Sequence, residues 1–342
     1  MSIENSNRIL WVDELKGLAI ILVMFGHAIF PNIFKVELYS FHIPLFFFLS
    51  GYVFGVKKYN DFKEFLLSKI RSILIPLLSF SIFIFVFDFI VRYLILGTMS
   101  LKNLLFEIPG FFIQIRGTFL GGSLWFLTCL FVAEIMFYLI IKVTKNDKVK
   151  ILLSIIICAI VGYIYFRYIN KLLPWAVDAS LTAIFFLGLG YLSKMCKERI
   201  NNIINIKTAV FFVIINVLST YLNYYLSGSN VDLYASKQGN VLLYYIESIS
   251  GIYMCIIIKR LVRNSNVLIS IGKNSLIYYC MHGSLFMVFS AVISNFTSIE
   301  NCNLIKSLII GMIMVILTVI VIWHISDFIN KKCPFILGKK KV

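Results

Sequence analysis

A chain of 342 residues that is 60% hydrophobic, with a mean hydropathy of +0.91, lies well above the roughly 45–50% apolar content of a soluble domain. That excludes a water-soluble globule and leaves an integral membrane protein. A net charge of +16 would suggest nucleic acid in a soluble chain, but here the basic residues are spaced between apolar runs rather than gathered into a patch, which is the pattern of membrane orientation.

A helix needs about 20 apolar residues to cross a hydrocarbon core of roughly 30 Å. Windows bounded by charge, Gly or Pro predict ten spans, at about 9–30, 41–56, 72–96, 123–141, 151–166, 175–193, 208–226, 241–258, 275–294 and 304–325. This is an all-α polytopic protein, a single domain over 1–342. The first apolar stretch, Leu18 to Phe30, runs into Pro31-Asn32-Ile33 rather than a small-residue cleavage site, so it is expected to stay as the first span. The second window is short enough to be tilted or re-entrant. In the third, Asp88 and Arg92 are four apart and read as a local ion pair. The connection at about 97–122 carries five glycines around Arg116 and reads as a lid or as a plain connector. The run Phe46 to Tyr52 is faintly echoed by Phe185 to Tyr191, which reads as chance in apolar sequence.

Orientation follows from charge. Of the 32 basic residues, 24 fall in alternate segments that include Lys57 to Arg71, Lys142 to Lys150, Lys194 to Lys207, Lys259 to Lys273 and Lys331 to Lys341; seven fall in the segments between, and Arg92 stays within the third span. The positive-inside rule then places both termini in the cytoplasm.

Ionisable side chains within spans are costly in lipid and are functional candidates by default. The first span holds Asp13, Lys16 and His27. Eleven residues are three turns plus about 20°, so Lys16 and His27 share one helix face, about 16 Å apart along the axis. This stripe is expected to connect the two sides of the membrane. A hairpin turning near residues 34 and 35 would bring His42, at the start of the second span, to the depth of His27 and facing it. His282 follows Tyr278 by one turn in a helix whose start, Lys273-Asn274-Ser275, resembles an N-cap, so a tyrosine hydroxyl is expected to hold its ring. Packing and function are equally open there. His324 beside Asp327 reads as interfacial.

Seven cysteines show no C-x-x-C spacing and read as small buried hydrophobes. The four histidines differ in expected depth and no HExxH is present, so no metal is expected. A phosphate-binding loop and a serine-hydrolase elbow are also missing from the sequence.

Asp13-x-x-Lys16 followed after ten residues by His27 resembles the N-terminal signature of the membrane acyltransferase 3 family, an Arg or Lys, ten residues, then His. Ser40-Phe41-His42-Ile43-Pro44 through Tyr52 resembles the family's second-span motif, in phrasing close to the fucose 4-O-acetylase-like and polysaccharide O-acetyltransferase branch. Lys69-x-Arg71 leading to Pro76 is similar to the basic inner loop, Ser123-Leu124-Trp125-Phe126-Leu127 to the fourth-span motif, and Ile271 through His282 to the ninth-span motif. These matches run in order over nearly the whole chain. Lys16 stands where many members have Arg, which keeps the charge and loses the forked geometry.

The resemblance implies transfer of an acyl group, usually acetyl from cytoplasmic acetyl-CoA, to a hydroxyl of a glycan facing outside. On that reading His27, Asp13 and His42 form the catalytic set, Lys16, Lys69 and Arg71 meet the CoA phosphates, and Trp125, Tyr278 and His282 support the site. Acetyl-CoA is then a substrate, and the other partners are the glycan acceptor, the lipid bilayer and a glycan-synthesis protein, in the cytoplasmic membrane of a bacterium. Nucleic acid is not expected. Two other classes remain open: a transporter or flippase for a glycan or lipid-linked sugar, and a non-catalytic partner of a glycan synthase that would tolerate loss of His27.

Overall fold

The structure, a computed structural model, describes all residues except 1–8, 96, 98–99, 101, 103–104, 106–107, 118–123, 199–203, 297–302 and 340–342. The described chain is helical throughout its spans: α1 (Leu10–His27), α2 (Asn32–Val53), α3 (Phe62–Lys69), α4 (Ile75–Asp88), α5 (Trp125–Val143), α6 (Lys148–Tyr168), α7 (Val177–Met195), α8 (Ile206–Ser227), α9 (Val241–Leu261), α10 (Asn266–Lys273), α11 (Ser275–Ser294) and α12 (Leu304–Lys332). Polar residues at helix starts set several boundaries by accepting the first free backbone N–H groups. Asp61, Asp147, Asn205, Asn240, Ser265 and Asn303 do so for α3, α6, α8, α9, α10 and α12.

Among the described residues, nine helical segments are long and apolar enough to cross a membrane. The tenth expected span is α1, whose 18 residues would reach about 27 Å. Asp13, Glu14 and Lys16 in its first two turns set it apart from the other nine by charge. The chain is an all-α integral membrane protein.

Two boundaries differ from the sequence reading. Helix α2 starts at Asn32, behind an extended Pro31, so the turn after α1 falls at 28–31 rather than at 34 and 35. The charges of Lys35 and Glu37 had hidden these first nine residues, about two and a half turns of helix. The third span begins at Phe62 and runs to Val91, broken by a π-helical turn at Ile70–Leu74 just before Pro76. An extra residue in one turn rotates everything after it. The side chain of Arg92, and hence its expected pairing with Asp88, lies outside the described residues.

Small residues bring helix backbones together at two crossings that shape the site. A Cβ on Gly17 would meet Leu268 O, and one on Gly272 would meet Asp13 O, so α10 lies directly on α1. At the second crossing a Cβ on Gly51 would run into Leu187 O and one on Gly190 into Phe48 O. The Phe46–Tyr52 and Phe185–Tyr191 echo thus has a counterpart: the two runs are reciprocal faces of the α2–α7 contact.

Buried ion pairs fix other elements. Glu14 of α1 meets Lys259 of α9 at 3.0 Å and also accepts from the Ser265 N–H at 2.5 Å, which ties α1, α9 and the start of α10. Within the third span, Lys69 pairs with Glu134 of α5 at 2.8 Å. Arg116 and Asp178 form a fully buried pair.

Candidate functional site

Two cavities open at opposite ends of one face of α1. At the end where α1 begins, a cavity of about 820 Å³ is lined by Lys16, Arg71, Lys273 and Lys339, with Glu64 as its acidic member and Ser68, Ser72 and Asn274 among its polar ones. The close α1–α10 crossing carries Lys273 and Asn274 up to Lys16. Arg71 lines the cavity from within the π turn. Two residues earlier Lys69 points to Glu134 and stands over the rings of Phe54 and Phe65, at 5.3 and 5.6 Å from their centroids. Lys339 is held by the C-terminal turn: Gly338, in the left-handed region at φ 67°, packs on the Arg71 carbonyl, and Lys339 Nζ donates to Asn330 Oδ1 at 3.0 Å. Asn330 in turn donates to Asn274 at 2.8 Å.

At the other end of α1, a cavity of about 400 Å³ is lined by His27, His42 and His282, by Tyr39, Trp125, Tyr234, Tyr244, Tyr279 and Phe286, and by Asp232. His27, the last residue of α1, is exposed to it. It also borders a shallower opening beside Asn32, Lys35 and Ser307.

The nearest imidazole to His27 is His282, with ring centroids 5.3 Å apart. His42 lies beyond Tyr39, whose ring is 6.3 Å from His27 and 5.0 Å from His42. The expected direct facing of His27 and His42 is corrected by the earlier start of α2, which puts His42 ten residues beyond Asn32 and therefore deeper than His27. Both still line the same cavity.

Backbone carbonyls set two of the three tautomers. His42 Nδ1 bonds to Leu38 O one turn back, and His282 Nδ1 lies 2.8 Å from Tyr279 O and 3.1 Å from Tyr278 O. A carbonyl only accepts, so each Nδ1 carries the proton and each neutral ring keeps its lone pair on Nε2. The Tyr278 hydroxyl does not hold His282 as expected. It donates to Val319 O at 3.3 Å, and the tyrosine that touches the cavity is Tyr279, whose hydroxyl accepts from the Phe126 N–H at 3.2 Å. Trp125, the first residue of α5, reaches the cavity between Tyr234 (5.8 Å, edge-on) and the Arg116 guanidinium over its ring at 5.8 Å.

Asp232 comes from the connection between α8 and α9. Paired backbone bonds with Lys237, at 2.7 and 2.8 Å, close a small loop over the cavity, and Asp232 Oδ1 accepts from the Tyr234 N–H at 2.9 Å. Burial pushes its carboxyl above the usual carboxylate range, while the N–H groups of Tyr234 and Ala235 and the charges of Lys237 and Arg116 pull it back.

The stripe on α1 is interrupted. Lys16, Ile20, Val23 and His27 follow one another at helical spacing, and Ile20 and Val23 are buried and apolar. Across from them, Ile277 of α11 lines the basic cavity and Tyr279 the histidine cavity. An apolar septum a few residues thick therefore separates two polar chambers. Asp13 is buried and lines neither chamber.

The structure thus brings Lys16 and Arg71 into one cavity and His27, His42, His282 and Trp125 into the other. Lys69, Asp13 and Tyr278 it places outside both. Sequence reasoning gave no chamber role to Lys273, read as part of a helix start and of the ninth-span motif, or to Lys339, counted only as inner-side charge, and it missed Tyr39, Tyr234, Tyr244 and Asp232. Of these only Tyr39 carried a signal, three residues before His42 on the same helix face. Among the described residues no group of three or more His, Cys, Asp or Glu side chains is placed to hold a metal ion.

Neither the curated proteins nor the solved structures gave a match. The Acyl_transf_3 family model, described as an acyltransferase domain, matches residues 9–327, a stretch that runs from the start of α1 into α12 and contains the histidine chamber and all of the basic chamber except its C-terminal wall at Leu337 to Lys339. The chain belongs to the membrane acyltransferase 3 family.

Proposed function

We propose that this membrane acyltransferase moves an acetyl group from acetyl-CoA, bound at the basic chamber on the cytoplasmic side, to a hydroxyl of an exported or cell-surface glycan bound at the histidine chamber on the outer side. The observation that carries the reading is the pair of chemically opposite chambers at the two ends of one α1 face. Lys16, Arg71, Lys273 and Lys339 supply the charge that pyrophosphate and phosphate groups require. Aromatic faces and hydrogen-bonding edges in the other chamber suit a sugar ring.

In this reading His27 takes the proton of the acceptor hydroxyl as its oxygen attacks the thioester carbonyl. The carbon–sulfur bond then breaks and the His27 imidazolium returns its proton to the departing thiolate, so that CoA leaves as the free thiol and His27 is neutral again. A neutral imidazole is suited to the first step near neutral pH, and general-base catalysis of this kind is worth about 10²- to 10⁴-fold. Tyr39 and His282 border the His27 ring and set its position. His42, beyond Tyr39, supports the acceptor. The thioester arm reaches His27 by parting the septum at Ile20 and Ile277. That septum also weighs against a transporter or flippase, which needs a polar route for the sugar from one chamber to the other.

Within the family we favour the polysaccharide O-acetyltransferase branch, in a bacterial cytoplasmic membrane with both termini inside. A glycan-synthesis protein would deliver the acceptor. The deciding experiment compares the mass of surface polysaccharide from cells with and without the gene. Loss of one acetyl mass per modified sugar supports the proposal, whereas unchanged acetylation with altered export of the glycan favours transport.

A further inference from the structure

Among the buried carboxylates of this protein, Glu14, Glu134 and Asp178 each meet a basic side chain. Glu247, in the second turn of α9 and fully buried, does not. One of its oxygens accepts from Asn223 Nδ2 at 3.2 Å, and the other, Oε2, has no hydrogen-bond partner. The same is true of Glu37 Oε2 on α2, and of Asn216 Oδ1 and Thr220 Oγ1 on α8. Both α8 residues are almost completely buried.

These atoms belong to one neighbourhood. Asn216, Thr220 and Asn223 recur at intervals of four and three and so share a face of α8. Asn216 Nδ2 donates to Glu247 O at 2.8 Å and to Ser40 Oγ at 3.4 Å, while Asn223 grips the Glu247 carboxylate one turn or more along. Thr220 lies between these two anchors. Glu37 precedes Ser40 by one turn of α2, and Ser40 Oγ donates back to Glu37 O at 2.7 Å. The Ser40 carbonyl, freed because Pro44 has no N–H, is taken by Ser248 Oγ of α9 at 2.7 Å. Three helices are thus pinned around a layer whose amide donors are spent on carbonyl and carboxylate oxygens and whose unpartnered atoms are oxygens, one of them the Thr220 hydroxyl.

Buried polar atoms are nearly always satisfied, and a layer of neighbouring residues whose unpartnered oxygens include two carboxylate oxygens calls for positive charge. We propose that Glu37, Asn216, Thr220 and Glu247 form a binding site for a monovalent alkali cation, with sodium as the probe ion. Ca2+ takes 6–8 oxygen ligands and Mg2+ keeps several waters, which four protein oxygens between packed helices do not match. The site would also act on the histidine chamber. Asn223, which holds Glu247, also donates to Gln238 O at 3.1 Å and accepts from the Asn240 N–H at 2.8 Å, and so anchors the loop that carries Asp232 and Tyr234.

The test is thermal unfolding of the purified full-length protein in sodium, potassium or choline chloride at equal ionic strength with chelator present, followed by calcium and magnesium without it. Sodium should raise Tm saturably by roughly 3–5 °C over choline. Glu247→Gln, close in shape and able to keep the Asn223 bond, should lose that rise. Thr220→Val, which removes one ligand without changing side-chain shape, should weaken it and provides the test should Glu247→Gln fail to fold. Equal Tm in sodium and choline would mean that water or a carboxyl proton satisfies the layer and would overturn the site. So would a response confined to calcium or magnesium, or a full sodium response in both variants.

Discussion

At the basic end of α1 four cations surround a chamber of about 820 Å³ with one acidic side chain. At the other end three imidazoles and a single carboxylate sit among six aromatic rings in about 400 Å³. The first can hold an anion of any shape that brings enough charge. The second offers aromatic faces and hydrogen-bonding edges. On the proposed function, placing the two on one helix face with apolar residues between them would let a single protein keep a charged carrier on one side and do proton chemistry on the other.

Removing the chemistry at the histidine end breaks this comparison most sharply. His27→Ala should lower turnover by about 10²- to 10⁴-fold while the protein still accumulates in the membrane, read as acetyl transfer per molecule of protein. His42→Ala should fall less, because His42 meets His27 only through Tyr39. Normal acylation by a stably expressed His27→Ala variant would point to the assembly-partner reading.

Blocking passage between the chambers comes next. Ile20→Trp fills the septum, and because a misplacement of about 1 Å can cost 10²-fold, turnover should drop on that scale with little change in either KM. A Ile20→Trp enzyme of ordinary turnover would show that the acyl group takes another path.

The basic end should respond more gently. Lys16→Ala and Arg71→Ala should each cost roughly 1.5–3 kcal/mol of donor binding, seen as a raised KM for acetyl-CoA, and Lys16→Arg should keep activity because charge is the shared feature. Lys69→Ala sharpens the contrast. It strands Glu134, so it should lower thermal stability and leave donor KM nearly unchanged.

The smallest effect is expected at the loop. Asp232→Asn should raise acceptor KM by about tenfold or less. Because burial raises the Asp232 carboxyl, it takes up its proton at a higher pH than an ordinary aspartate, so acidification should weaken acceptor binding before donor binding. Acceptor KM measured against pH in wild type and Asp232→Asn checks this, with the pH dependence flatter in the variant.

Much of this layout was legible in the sequence because spans, periodicity and a charged residue in lipid are strong local signals. Lys16, His27, His42 and His282 stand in the chambers for that reason, while Arg71 and Trp125 were picked out by the family resemblance. What escaped depends on geometry that single helices do not encode. Lys69 and Arg71 look alike in sequence; two residues apart on a helix they face different ways, and which of them meets the chamber and which meets Glu134 is set by the packing of neighbouring helices. Pro31 ends the turn after α1 earlier than the charges of Lys35 and Glu37 suggest, which deepens His42. Asp232 sits in a polar loop with no periodicity, and Glu14 finds Lys259 across most of the chain, so neither partner could have been named from local pattern.

The central claim is the division of labour between the two chambers, and two-substrate kinetics in inside-out membrane vesicles test it most directly. With Arg71→Ala and Asp232→Asn measured side by side, the account predicts that Arg71→Ala raises the KM for acetyl-CoA alone and Asp232→Asn raises the KM for the glycan acceptor alone. The reverse pairing, or a change in the same KM in both variants, would contradict it.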